Sequence, residues 1–246
     1  MKGGGFTMIR LMRTGAILVG AILCGVSAAS AQVQSDHPAI EGVWKIATPT
    51  TTIKPHSEVP LTAKGRKEYN ENKKLKARRA YDDYDIATSR CSSPGVPRLM
   101  LTPMRFKIWD RLGFVTFDFE WNRALRQIDL RPTRQPDMMG PSLVPTMTGE
   151  SVGRWEGDTL VATTTDISER VLLDDLLPHS VDITVTERFR LIDPDTLENR
   201  ITIDDPEYYT KPWEAVVTYK RQPDAVFPED VCLDRIEAGQ PAFPKP

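Results

Sequence analysis

Apolar and polar residues alternate along much of the chain between Phe106 and Lys220, and this alternation predicts β-strands. Turn-forming residues separate the alternating segments, for example Glu156-Gly157-Asp158 and Asp193-Pro194-Asp195. A short strand is also predicted over 40–46. The strands predicted after it are Phe106–Trp109, Phe114–Trp121, Leu125–Leu130, Ser151–Trp155, Thr159–Thr165, Val181–Ile192, Leu197–Asp204 and Trp213–Lys220. The pattern therefore predicts a mainly β fold.

One long helix is predicted, over Leu61–Arg79, because this segment contains good helix formers, no Pro, and Thr62 in the position of an N-cap. Its apolar residues form only a narrow stripe, so we expect the helix to lie on the outside of the domain. The segment is rich in basic residues. Glu68 and Glu71 stand among them at helical spacing, which indicates a solvated helix face.

A series of sequential antiparallel strands leaves exposed edges unless the sheet closes on itself. Because closure removes those edges, we predict a closed or nearly closed antiparallel barrel with one surface helix. A two-sheet sandwich is the alternative. The length of residues 32–246 suits a single domain of either kind.

The first 31 residues have the pattern of a signal peptide. Basic residues precede an uncharged run over 14–31, which is rich in apolar residues and ends in Ala29-Ser30-Ala31. A membrane anchor would need roughly 20 apolar residues, and this run is shorter. We therefore expect cleavage after Ala31, a mature chain that starts at Gln32 with no membrane span, and a periplasmic or secreted location.

Charge and cysteine content limit the choice of partners. Removal of three basic residues with the signal peptide changes the formal net charge from −2 to −5, which is not the footprint of a nucleic-acid-binding protein. Cys91 and Cys232 are the two cysteines of the mature chain, and in an oxidising compartment they are expected to form a disulfide. The alternative is two thiols too far apart to pair.

The second half of the chain resembles a family of secreted, mostly uncharacterised bacterial proteins. The signature is Gly-Arg-Trp-Glu-Gly-Asp-Thr-Leu-Val over 153–161, followed by Pro178-His179-Ser180 and Glu187-Arg188-Phe189. It continues with Asp204-Asp205-Pro206 and the Tyr209-Thr210-Lys211-Pro212-Trp213 segment. Weaker matches lie earlier, at Gly95-Val96-Pro97, at Phe119-Glu120-Trp121 in place of the more usual Tyr-Glu-Tyr, and at Arg126.

This resemblance implies a lipocalin-like or calycin barrel. Some barrel-like proteins of soil bacteria act on aromatic dimers derived from lignin, so a cofactor-independent lyase or isomerase is one role that the resemblance implies. Relatives often carry a second His shortly before Pro178-His179-Ser180, but here Leu176 and Leu177 occupy that region. A two-histidine metal site is therefore not expected.

The sequence contains no zincin helix, phosphate-binding loop, dinucleotide fingerprint or Gly-x-Ser-x-Gly elbow. We accordingly predict no metal and no organic cofactor. General acid and base chemistry is what remains for an enzyme with this composition.

The candidate catalytic residues are His179, Glu120, Asp205 and Tyr209. His179 stands at a strand entrance, where it is either an acid or base or a hydrogen-bonded loop residue. Glu120 is either a desolvated base or an outward carboxylate paired with Arg126. Of the neighbouring acids, Asp205 alternates with Ile201 and Ile203 and is expected inside, although a turn cap before Pro206 explains it more simply.

The candidate substrate-binding residues are Trp121, Arg126, Tyr208, Lys211 and Met139. Aromatic rings such as Tyr208 stack on flat ligands, and a phenol beside Lys211 is also a candidate proton relay. Met139 belongs to a Met-rich loop that either lines a cavity mouth or is poorly packed.

Three classes of function are consistent with this sequence. The first is a cofactor-independent lyase or isomerase with a pocket for a flat, largely apolar molecule. The second is a non-catalytic carrier that uses the same pocket, and the third is an envelope interaction protein with a filled core. The substrate, the oligomeric state and the inward-facing side of each strand are not determined by the sequence.

Overall fold

The computed structural model describes residues 37–55, 58–131 and 144–244. They belong to one compact unit, Ser35–Pro246. The predicted signal peptide and its cut after Ala31 lie outside the described residues, as does Met139. None of the helices in the described segments is long and apolar enough to cross a membrane.

Nine strands form one closed barrel, in which each strand pairs with its neighbours in chain order. The barrel prediction is therefore confirmed and the sandwich alternative is not. The strands are β1 Gly42–Ile46, β2 Arg105–Arg111, β3 Phe114–Phe119, β4 Leu125–Asp129, β5 Glu150–Glu156, β6 Thr159–Thr165, β7 Thr184–Asp193, β8 Thr196–Asp204 and β9 Trp213–Arg221. The alternating pattern locates most of these boundaries to within one or two residues.

One pair of strands departs from the predicted antiparallel arrangement. β4 and β5 run parallel and are in register over two pairs only, Ile128 with Ser151 and Asp129 with Val152. The physical reason is the long connection between them, which returns the chain to the end of the barrel where β4 began. Sequence alternation reports which residues share a face, but it does not report strand direction.

The signature segment 153–161 forms most of the β5–β6 hairpin. Gly157 takes a positive φ of 62° at the turn, a conformation that glycine adopts without strain. The ion pair between Arg154 and Glu156 and a second one between Arg188 and Glu156 lie on the exposed surface of this hairpin. These contacts support a structural role for the motif.

Aromatic side chains fill a large part of the barrel interior. The ring of Phe106 lies 5.0 Å from that of Tyr219 and 5.4 Å from that of Phe119, while Phe117 lies 5.2 Å from Phe189. All five residues are buried in the core. Such packing contributes the main apolar stabilisation of the domain.

A buried ion-pair network fixes the segment that precedes β2. The Arg98 guanidinium donates to both carboxylate oxygens of Asp85, at 2.7 and 3.0 Å, and to Asp175 at 2.9 Å. Lys76 of the surface helix also pairs with Asp175, at 2.9 Å. Because each charge is paired, their burial is tolerated, and the network links this segment to the 174–177 loop.

The predicted surface helix is present as α1, Ala63–Ala77, and Thr62 is its N-cap because the Thr62 hydroxyl accepts from the Gly65 amide at 3.1 Å. The other described helices are two short α-helices, α2 Ile86–Ser89 and α3 Cys232–Glu237, and two 3₁₀ helices, Tyr81–Asp83 and Arg98–Leu101. Most side chains of α1 are exposed, as its narrow apolar stripe predicts.

The predicted disulfide joins Cys91 to Cys232, with a Cα–Cα distance of 5.6 Å and a sequence separation of 141 residues. Cys91 follows α2, and Cys232 begins α3. The bond therefore ties the segment before β2 to the C-terminal tail.

Loss of this disulfide is expected to destabilise the domain. A loop of this length contributes about 5 kcal/mol in the chain-entropy model, so the Cys91→Ser/Cys232→Ser variant should unfold at clearly lower urea concentration than the wild type. The control is dithiothreitol, which should lower the midpoint of the wild type and leave that of the variant unchanged. Equal midpoints for oxidised wild type and variant would contradict the expectation.

Candidate functional site

The topology brings most of the predicted catalytic residues to one end of the barrel. Glu120 follows β3, His179 precedes β7, and Asp205 and Tyr209 follow β8. The directions of the paired strands place those three strand ends together. The hydrogen bonds, however, divide the residues into two groups. His179, Asp205, Tyr208 and Tyr209 form the first group, and Glu120 and Trp121 form the second.

Asp205 is buried and holds two loops together. Its carboxylate accepts from the Ser180 amide at 2.7 Å and from the Ser180 hydroxyl at 3.0 Å. It also accepts from the amides of Glu207 and Tyr208, at 3.1 and 3.3 Å. Asp205 is 1% exposed, and its contacts are those of the turn cap, which is the simpler of the two explanations that the sequence offers.

His179 is 2% exposed, and its Nδ1 lies 2.7 Å from the carbonyl oxygen of Ser180. Burial lowers the pKa of His179 below its ordinary value, so the ring is neutral near pH 7. The contact with the carbonyl requires the proton on Nδ1. Nε2 is buried as well, and the backbone of Val171 gives the ring a second polar contact.

The two tyrosines also connect elements. The Tyr209 hydroxyl donates to the Pro178 carbonyl at 2.7 Å, and burial raises the pKa of this phenol. The Tyr208 hydroxyl donates to Glu68 of α1 at 2.8 Å, and desolvation raises the pKa of Tyr208 to about 12. Both phenols therefore stay protonated and serve as donors.

Glu120 and Trp121 belong to the second group, under the C-terminal tail. Glu120 pairs with Arg105, with Oε1 at 2.5 Å from Nε and Oε2 accepting from the Arg105 amide at 2.9 Å. The expected pairing of Glu120 with Arg126 is wrong, because β2 begins beside Glu120 while Arg126 points into the barrel toward Glu187. Trp121 Nε1 donates to the Ala242 carbonyl at 2.9 Å.

The remaining predicted binding residues lie elsewhere. Lys211 is exposed. Arg126 is buried in the barrel interior, where it pairs with Glu187. Among the described residues, no three His, Cys, Asp or Glu side chains gather as metal ligands would.

A cavity of about 260 Å³ lies beside the first group, between α1 and the segments 52–53, 58–61 and 174–177. We call it the α1 pocket. Its apolar lining consists of Ile53, Val59, Leu61, Tyr69, Leu176 and Leu177. Thr52, Glu58, Arg66 and Asp174 complete the lining, and Arg66 and Glu58 form an exposed ion pair at 3.3 Å.

Asp174 shapes this pocket. One of its carboxylate oxygens accepts from the Leu176 and Leu177 amides, both at 2.8 Å, and the other accepts from the Ile53 amide at 3.0 Å. Burial raises the pKa of Asp174, while these amides favour its charged form. Since both oxygens are occupied, the carboxylate organises the wall and is not a free base.

The position of α1 over the pocket depends on the loop that follows β8. A Cβ on Gly65 would lie 2.4 Å from the Tyr208 carbonyl oxygen, so the helix approaches this closely because residue 65 is glycine. Asn72 of α1 donates to the Leu176 carbonyl at 2.9 Å. The predicted residues Asp205, Tyr208 and Tyr209 thus belong to the loop against which α1 packs, and they do not line the pocket themselves.

Sequence reasoning missed Asp174, Asp85 and Arg98. Asp174 and Asp175 are adjacent acids in an otherwise apolar run, Val171–Leu177, and that contrast was the available signal. A buried acid in such a run needs local amide donors or a cation. For Arg98 no local pattern distinguishes a buried arginine from an exposed one.

Comparison of the sequence with known families finds no matching family model, and comparison with curated proteins finds no match.

Burial of neutral His179 predicts a specific dependence of stability on pH. Its folded-state pKa lies below the unfolded value of about 6.5, so the unfolded chain binds a proton first as the pH falls. The stability that neutral His179 contributes is present above about pH 6.5 and is lost below it. Between pH 7.5 and 5.5, wild type should therefore lose more unfolding free energy than His179→Gln, measured by urea denaturation. Equal losses would contradict the expectation.

Proposed function

We propose that this protein is a secreted, lipocalin-like binding protein that holds a single-ring, largely apolar molecule in the α1 pocket and does not transform it. The observation that carries the proposal is the lining of the pocket. Six apolar side chains meet there, together with four polar ones. Pockets of this composition are typical of small-molecule sites.

The volume of the pocket limits the size of the ligand. A cavity of about 150 Å³ is enough to hold benzene in a protein core. At about 260 Å³, the α1 pocket has room for one substituted ring. Two linked rings need roughly twice the benzene volume, so an aromatic dimer is a poor fit. Tyr69 supplies a flat face against which such a ring would pack.

The hydrogen bonds around the pocket favour binding over acid–base chemistry. Asp174 and Asp205 accept several donors each, and Tyr209 donates to a backbone carbonyl. Glu120 pairs with Arg105 in the other group of residues. A general base needs a free acceptor within reach of the ligand proton, and none of these carboxylates offers one.

Two further observations support the compartment and the class of protein. A disulfide is typical of proteins exported to oxidising compartments, which agrees with the signal-peptide pattern of residues 1–31. The hairpin motif over 153–161 and the Pro178-His179-Ser180 motif resemble a secreted bacterial family. We place the protein in that family as part of the proposal.

The test is a titration of the chain from Gln32 to Pro246 with a panel of single-ring compounds: phenol, guaiacol, toluene and benzoate. Wild type should bind at least one of them saturably, as followed by NMR or calorimetry. Val59→Trp fills the pocket with an indole and should weaken that binding about tenfold or more. Recovery of the ring compound unchanged, checked by mass spectrometry, separates binding from turnover.

Val226→Trp is the matched control, since Val226 is a 78% exposed residue of the C-terminal tail outside the pocket lining. It should bind like wild type. The proposal is wrong if no compound of the panel binds, or if the bound compound binds Val59→Trp as tightly as wild type. Conversion of a bound compound to a product would show that the protein is an enzyme and not a carrier.

A further inference from the structure

The outer side of α1 carries a dense array of positive charge. Residues 63–79 include eight Lys or Arg and two Glu, which gives this segment a formal charge of +6. The mature chain has a formal net charge of −5, so the rest of it carries −11. Positive charge is therefore concentrated on one surface helix of an otherwise acidic protein.

The orientation of α1 determines which of these charges face outward. Gly65 and Asn72 are buried and mark the side of the helix that packs against the domain. Because an α-helix has about 3.6 residues per turn, Lys67, Lys74 and Arg78 lie on the opposite side. Lys67 is exposed, and the side chains of Lys74 and Arg78 are 68% and 66% exposed. We call these three residues the basic row.

Carboxylates of the protein neutralise only part of this charge. Lys74 pairs with Glu71 at 2.9 Å, and Arg78 lies 3.8 Å from the same carboxylate group. Neither Lys67 nor Lys73, which is also exposed, forms an ion pair with a carboxylate of the described residues. Two members of the basic row thus share one carboxylate, and the third has none.

The basic row is extended along the helix. Lys67 and Arg78 are eleven residues apart, which corresponds to about 16 Å at a rise of about 1.5 Å per residue. A single small anion can contact only one part of the row at a time. An extended array of anionic groups can contact all three residues together, so the row fits a charged surface better than a small ligand.

The outer side of α1 lacks the apolar residues of a protein interface. Among the exposed residues of the helix, only Ala63 and Ala77 are apolar, and both are small. Specific protein interfaces depend on a core of buried aromatic and apolar side chains, and lysine is depleted in them. Attraction to an anionic bilayer needs no such core, because each Lys or Arg near the surface adds to it. The row therefore favours a lipid surface over an acidic protein.

We propose that α1 docks the protein on a bilayer of anionic phospholipids, with the basic row against the headgroups. The contact is electrostatic and reversible, since this side of α1 presents no large apolar side chain to the acyl region. An exported protein, as the pattern of residues 1–31 predicts, would meet a membrane surface in the cell envelope. Arg66 lines the α1 pocket and is also 51% exposed, so docking would hold the pocket close to the bilayer.

The test is sedimentation of the chain from Gln32 to Pro246 with sucrose-loaded vesicles. One set contains phosphatidylcholine alone, and the other contains phosphatidylcholine and phosphatidylglycerol in equal amounts. Wild type should bind the second set and not the first at an ionic strength of about 50 mM. Its binding should weaken about tenfold or more at about 500 mM, because salt screens exposed charges. Glycerol 3-phosphate at millimolar concentration should not displace it, since a single phosphate does not span the row.

Lys67→Gln/Lys74→Gln/Arg78→Gln removes the basic row. Glutamine has nearly the helix propensity of lysine and arginine, so α1 should persist, which circular dichroism and the urea midpoint check. Binding of this variant to the anionic vesicles should be about tenfold or more weaker than that of wild type, because three charges that attract the surface are lost.

Lys45→Gln/Arg154→Gln/Arg190→Gln is the matched control. It removes three positive charges from exposed positions of β1, β5 and β7, outside α1. The two triple variants have the same net charge, and the control should nevertheless bind like wild type. Val59→Trp, which fills the α1 pocket, should also bind the vesicles like wild type.

Equal weakening in the two triple variants would show that net charge alone decides, and would overturn the role of α1. Binding to both sets of vesicles alike, or to neither, would overturn the anionic bilayer as partner. Displacement by glycerol 3-phosphate would indicate a site for one phosphate instead, and binding to poly-L-glutamate but not to vesicles would indicate an acidic protein. Ring compounds are titrated without vesicles, so the two proposals fail separately.

Discussion

β1 closes the barrel with only five residues, because Gly42–Ile46 pairs with β2 on one side and with β9 on the other. Without this strand, β2 and β9 would both be open edges. The interior packing depends on it as well, since Trp44 and Ile46 of β1 are buried in the same core as the aromatic rings of β2, β3 and β9. Closure by β1 thus stabilises both the sheet and the hydrophobic core that it encloses.

Two cavities that described residues line lie where regular structure gives way. The α1 pocket lies between a surface helix and loop segments, and another cavity opens where the parallel pair of β4 and β5 diverges. Loops and irregular pairings are common places for binding sites on rigid barrels. Both of these cavities are peripheral, whereas the sequence predicted a hollow enclosed by the strands themselves.

The strands and the helix were predictable because each depends on a local pattern. For β6 the pattern is the alternation of apolar and polar residues, and for α1 it is the N-cap Thr62 followed by residues that favour helices. The turn cap at Asp205 followed from its position before Pro206. The ion-pair partners of the buried side chains were not predictable. Arg126 meets Glu187, 61 positions away, because three strand registers bring them together, whereas Glu120 is the nearer carboxylate in the sequence, across a single hairpin. Strand order and direction decide such contacts, and neither is encoded within one segment.

The covalent topology has a consequence for cleavage of the chain. The bond between Cys91 and Cys232 encloses β2 through β9 in one covalent loop, while β1, α1 and α2 lie on the N-terminal branch. A protease that cuts one connection inside this loop, such as the Asp193-Pro194-Asp195 turn, produces two fragments that remain a single molecule until the disulfide is reduced. The nicked protein would retain its mass on a non-reducing gel, and its strands would stay at high mutual concentration for re-pairing.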